Sequence, residues 1–285
     1  MITLKSALPF DLYRPIVELV SNNNDLASLS RVCRAMQTEA ERALYAEISV
    51  FLYTEPIASL YHTPRVRPYV RRISIDHQAD TSETLLPYNE FVPSLVNLEE
   101  LHIKCAHHPL YEALAQSKLE RLKEVIITLR MRKWVGGQPQ AQPKVSDTTA
   151  CGHLATFFKE NSSIVRLYWN GDLPASHEFE ILQLGPNGSL PNLTHISGEP
   201  AFLMHVLIGR PISYVLTLVE DEREERDLVL FLGESGKEMV SLYVSGLTLG
   251  GMKALIGQLP RLRFIGELYH RPGDGELVSL HLQPT

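Results

Sequence analysis

The sequence predicts an α/β protein, with a short helical module at the N-terminus followed by a solenoid of stacked strand-and-helix units sharing a parallel sheet. Two observations predict it. Residues 8 to 50 carry apolar residues at helical spacing. From Tyr45 onward one apolar pattern returns at irregular intervals, the signature of a repeat architecture.

In the module, Leu12, Ile16, Leu19 and Val20 predict a first helix. Pro15 fits only if the regular helix starts close to it, because an interior proline loses a hydrogen bond and clashes with the preceding turn. Ser21-Asn22-Asn23-Asn24 ends that helix, and Asp25 is a candidate cap for the next. Leu26, Leu29, Val32 and Cys33 form the second apolar stripe. A third helix is expected over Thr38 to Leu44, with Ala40, Ala43 and Leu44 on one side.

The pattern that follows is apolar, two residues, apolar, one residue, apolar. Its copies are Tyr45/Ile48/Val50, Val70/Ile73/Ile75, Leu98/Leu101/Ile103, Leu122/Val125/Ile127 and Ile164/Leu167/Trp169. Later ones are Ile212/Val215/Thr217, Met239/Leu242/Val244 and Leu277/Leu280/Leu282, with Leu193/Ile196 and Leu262/Ile265 as weaker versions. They recur roughly every 15 to 42 residues, typically in the twenties, the range of leucine-rich repeats. In each short strand the apolar residues point into a shared core and those between them point out. One unit cannot bury its own apolar face, so neighbours must stack. Segments 109–114, 153–158 and 252–256 read as intervening helices or turns. Residues 135 to 149, rich in Gly, Pro and Gln, read as a flexible insertion. The charge run at residues 220 to 227 reads as a solvated loop or a helix start.

Composition narrows the function. A net charge of -6 argues against nucleic-acid binding, which needs clustered Lys and Arg. The start of the chain lacks a signal peptide's apolar core, and no apolar run approaches the ~20 residues that span a membrane. The three cysteines, Cys33, Cys105 and Cys151, are therefore read as reduced thiols, and the location as cytoplasmic or nuclear. Sequons at Asn161, Asn187 and Asn192 are read as chance triplets.

Catalytic motifs are missing. Gly233-Glu234-Ser235-Gly236 lacks the spacing of a nucleophile elbow, and Gly236-Lys237 has neither the first glycine nor the hydroxyl of a phosphate loop. His102, Cys105, His107 and His108, with Cys151 and His153 further on, are the only soft-ligand cluster. Cys105 and His108 have a zinc-like spacing but sit at a strand end, where side chains alternate faces, so no metal or cofactor is expected.

At this point residues 8 to 50 resemble an F-box, the motif that docks onto the Skp-type adaptor of a cullin-RING ubiquitin ligase. The matching residues are Leu8-Pro9, Leu12, Ile16, Asp25-Leu26, Leu29, Val32-Cys33-Arg34, Ala40 and Leu44-Tyr45. Where F-boxes carry a bulky aromatic after the Val-Cys-Arg stretch, this chain has Met36, whose flexible thioether can fill the same gap. Residues 51 to 285 resemble the irregular leucine-rich repeats that follow F-boxes in many fungal proteins. The resemblance implies a non-enzymatic substrate receptor of an SCF-type ligase. Leu8, Pro9, Leu12, Ile16, Leu26, Leu29, Val32 and Cys33 would divide between the module's core and the adaptor interface. The residues between the core positions would line a concave face for a target protein, among them Arg72, Asp76, His102, Lys104, Arg166, Tyr168 and Tyr243. The alternative is a scaffolding repeat protein with no ligase link, its N-terminal helices serving as a cap.

Overall fold

The structure is a computed structural model. It describes residues 9–51, 60, 62–76, 88–104, 108–129, 134–135, 138–139, 148–171, 189–268 and 277–281. The chain is α/β, built on one ten-stranded sheet with helices against one face.

The N-terminal module comes first. A 3-10 turn, Phe10–Leu12, leads into α1 (Tyr13–Glu18), followed by α2 (Asn23–Leu29) and α3 (Arg34–Leu44). Pro15 is the third residue of α1, where its absent N–H would have had no intrahelical acceptor. The cap of α2 is Asn22, not Asp25. The Asn22 side chain accepts from the Asn24 amide at 2.8 Å, and Asp25 contributes its charge to the first turn. The third helix begins at Arg34, a turn earlier than Thr38. Val17, Leu26, Met36 and Ala40 form a small core of their own, separate from the main one. Met36 is thus buried where the aromatic of the resembled motif would stand.

The sheet strands are β1 (Glu47–Phe51), β2 (Arg72–Asp76), β3 (Glu100–Ile103), β4 (Glu124–Leu129), β7 (Arg166–Gly171), β8 (His195–Ser197), β9 (Tyr214–Leu218), β10 (Ser241–Ser245), β11 (Phe264–Leu268) and β12 (Leu277–His281). They lie side by side in chain order. Nine run parallel, and β12 turns back antiparallel to β11. The last copy of the apolar pattern therefore pairs in register, Leu280 opposite Ile265, but in the reverse direction. A separate antiparallel pair, β5 (Trp134–Val135) with β6 (Gln138–Pro139), falls within and just before the expected insertion at 135–149. The helix Thr148–Glu160 starts inside that span.

Each copy places its Ile48-equivalent position on a strand, and Leu282 of the last copy lies outside the described residues. Ile48, Ile73, Leu101, Val125, Leu167, Ile196, Val215, Leu242, Ile265 and Leu280 form one continuous row across the sheet. One device fixes this register at all eight parallel junctions: two successive amides at the strand entry donate to a single carbonyl of the strand before. Arg71 and Arg72 donate to Ala46, Lys123 and Glu124 to Glu99, and Arg263 and Phe264 to Val240. A slip of one residue would turn the apolar row out to solvent.

Side-chain ties repeat as well. The Asn97 amide donates to the Pro68 carbonyl at 2.7 Å, and the equivalent Asn192 donates to Ser162 at 2.9 Å. Asn161 is buried. It accepts from the Leu119 amide and donates to the carbonyls of Ser117 and Phe157, so its side chain belongs to the fold.

The main core lies between the sheet and the helix layer, where Phe157, Phe158, Phe202, Leu228, Leu232 and Leu255 meet the inward residues of the strands. The charge run at 220 to 227 is a helix start, as Asp221 caps Glu222–Ser235 by accepting from the amides of Arg223 and Glu224. Among the described residues no helix is long and apolar enough to cross a membrane.

Candidate functional site

Two surfaces stand out: the sheet face away from the helices, and the outer side of the N-terminal module.

On the sheet, alternation places the residues between core positions on the open face. One row, entering the strands, reads Glu47, Arg72, Glu100, Glu124, Arg166, His195, Tyr214. The next row reads Ser49, Ser74, His102, Ile126, Tyr168, Ser197, Leu216, Tyr243. Arg72, His102, Arg166, Tyr168 and Tyr243 from the sequence reading thus share one face. Asp76 ends β2 on that face, and Lys104 follows β3, where its amide donates to the Ile75 carbonyl.

The face has two halves of different chemistry. Toward β1 it is ionic. The Arg72 guanidinium lies 3.6 Å from Glu47 and 3.1 Å from Glu100, and that of Arg166 lies 2.8 Å from Glu124. Between them a shallow depression of about 130 Å³ is lined by Glu47, Ser49, Arg72, Ser74, Glu100, His102, Glu124 and Ile126. Burial pushes the Glu124 carboxyl up, and Glu100 acts the same way, against the pull of Arg166 and Arg72. Burial, assisted by Lys104, holds His102 below the usual imidazole range despite Asp76. Burial and Arg166 do the same to His195.

Toward β11 the face is aromatic. His195 stacks on Tyr214 with ring centroids 5.2 Å apart, Tyr214 meets Tyr243 at 5.0 Å, and Tyr243 meets Phe264 at 4.8 Å. These spacings match the distance between strands, so the rings form a ladder across β8 to β11. Gly266 makes room for it, because a Cβ there would come within 2.8 Å of the Tyr243 ring. The sequence reading found Tyr243 but not His195, Tyr214 or Phe264. Their signal was available, since each sits immediately before or between the core positions of its repeat.

On the module, spacing and burial separate two faces. Leu12, Ile16 and Leu19 lie on one side of α1 and are 45%, 37% and 86% exposed, while Val17 points inward. Phe10 and Val32 are 63% and 67% exposed, Pro9 and Cys33 are also at the surface, and Leu29 is partly buried. Of the residues expected to divide between core and interface, Leu26 falls to the core. It is 4% exposed and belongs to the module's core with Val17, Met36 and Ala40. Leu8, Cys105 and His107 lie outside the described residues. Phe10 and Leu19 are exposed apolar residues that the sequence reading did not assign to docking.

The module is tied to the sheet region through α3. Glu41, buried, accepts from both terminal nitrogens of Arg65 and from Gln37, while Arg42 lies 5.9 Å over the Tyr69 ring. Burial alone would raise the Glu41 carboxyl, but the bonds from Arg65 and Gln37 and the charge of Arg65 hold it below the usual carboxylate range.

No protein-family model matches this chain, and no curated protein matches it. The functional reading therefore rests on the two surfaces.

Proposed function

We propose that the chain is a substrate receptor of a cullin-RING ubiquitin ligase, with an F-box-like module docking a Skp-type adaptor and an irregular leucine-rich-repeat solenoid holding a target protein on its open sheet face. One observation carries the reading. The N-terminal helices pack on a core of their own and turn Phe10, Leu12, Ile16, Leu19 and Val32 outward. A cap exists to cover the end of a repeat stack and presents a polar outside. Apolar side chains at positions i, i+4 and i+7 on the outer side of a helix suit a groove on another protein.

The scaffolding alternative, with the module as a cap and no ligase link, is favoured by the ties from Glu41 to Arg65 and from Arg42 to Tyr69. Co-expression with a Skp-type adaptor separates the two. The receptor reading expects co-elution of the wild-type chain and at least a tenfold loss for a Leu12→Asp/Ile16→Asp variant, since a few anchors carry most interface energy. Far-UV circular dichroism of the variant should be unchanged. A wild-type chain that does not bind, or a variant that binds equally, would overturn the reading.

A further inference from the structure

We infer that the ionic half of the open sheet face is a docking site for a basic peptide segment, with an Arg or Lys side chain of the target seated in the depression between β1 and β4. The inference deepens the receptor reading and rests on it for the purpose of the binding.

The argument is one of charge. Of the residues lining the depression, Glu47, Glu100 and Glu124 are acidic and Arg72 alone is a permanent cation. Along the entry row, which adds Arg166, carboxylates still outnumber guanidiniums by three to two. Asp76 and Lys104 add one charge of each sign at the far end of the strands. His102 and His195 are held toward the neutral form, so they add little positive charge near neutral pH. An incoming cation therefore meets a surplus of carboxylate, and an incoming carboxylate meets repulsion.

The geometry leaves room for the cation. Arg72 is shared between two carboxylates, and its approach to Glu47 is the looser, at 3.6 Å. The Glu47 side chain is 70% exposed. Exposed ion pairs of this kind contribute little, so a second guanidinium can take up Glu47 while Arg72 keeps Glu100. The Ser49 and Ser74 hydroxyls line the same depression and offer further acceptors. Beyond it the tyrosine ladder continues the electron-rich surface, where a second cationic side chain can rest against a ring.

The nine parallel strands span roughly 38 Å at a spacing of about 4.8 Å. An extended peptide of about twelve residues covers that width. The test uses the full chain and three fluorescein-labelled Gly-Ser peptides of that length, carrying Arg, Glu or no charge at every third position, read by fluorescence anisotropy at physiological salt. The Arg peptide should bind at least tenfold tighter than the other two, and a Glu47→Gln/Glu100→Gln variant, its melting curve unchanged, should lose at least tenfold of that binding. The Leu12→Asp/Ile16→Asp variant should bind the Arg peptide as the wild type does. Equal binding of the three peptides, or binding that survives the Gln substitutions, overturns the inference. A wild-type chain that binds the Arg peptide but not the adaptor would instead sink the ligase reading alone.

Discussion

The Glu225 carboxylate, buried in the helix Glu222–Ser235, accepts a hydrogen bond from the Thr248 hydroxyl at 2.5 Å, so one helix caps the start of the next. The same carboxylate accepts from the Thr248 amide at 3.3 Å, and the Thr248 hydroxyl in turn accepts from the Gly251 amide at 3.1 Å. Gly251 has to be small, because a Cβ there would stand 2.0 Å from Glu225 Oε1. Replacing Thr248 by Ala removes the cap and strips a mostly buried carboxylate of its strongest partner. The expected cost is about 1–3 kcal/mol, at or above the ~1 kcal/mol of an ordinary cap. A urea midpoint that does not move would refute this.

Trp169 and Phe202 stack with centroids 5.1 Å apart, and Gly198 is the reason they can. It occupies the third core position of the weak Leu193/Ile196 copy, where a Cβ would lie 2.5 Å from the Phe202 ring. Gly198→Ala should force that ring off Trp169 and destabilise by about 1–3 kcal/mol, as overpacking does. Tryptophan fluorescence and the denaturation midpoint should change together. If neither changes, the close approach is not real.

Thr217 fills the corresponding position in its own copy, and its hydroxyl is buried with no hydrogen-bond partner among the described residues. Its neighbour in the same row is Val244. Thr217→Val keeps the shape and removes the desolvated hydroxyl, so stability should rise by about 1 kcal/mol. A lower midpoint for the variant would show that the hydroxyl is satisfied.

His102 and His195 both have imidazoles held below the ordinary value of 6.5. For such a group the unfolded chain binds more protons between the two pKa values, so stability rises with pH through that window. On acidification, wild type should lose stability as the pH falls through about 6.5. A His102→Gln/His195→Gln variant should lose less over the same range. Imidazole resonances titrating at or above the ordinary value would contradict this.

Most of the sheet was legible because its signal is local and redundant. Ile73, Leu101 and Val125 repeat one alternation, and each strand needs only the pattern to be placed in register. Direction is different. Leu277/Leu280/Leu282 repeats the spacing of the parallel copies, so nothing in it announces that β12 reverses.

The module shows a second gap. Spacing grouped Leu12, Ile16 and Leu19 on one side of α1, but it cannot say which side faces a core. Val17 is the buried one, and Tyr13 and Val20, the latter grouped by spacing with Leu12, Ile16 and Leu19, pack against the same core. For the candidate site, Arg72, Arg166, Tyr168 and Tyr243 were readable from alternation, while the joining of His195, Tyr214, Tyr243 and Phe264 into one ladder needed the pairing of neighbouring strands.

β4 and β7 are hydrogen-bonded neighbours, Glu124 opposite Arg166, although the chain leaves one at Leu129 and reaches the other only at Arg166. Each strand answers to the two beside it and not to the length of chain between them. What brings Glu124 beside Arg166 is thus the edge that β4 offers, and the chain in between only has to return to it.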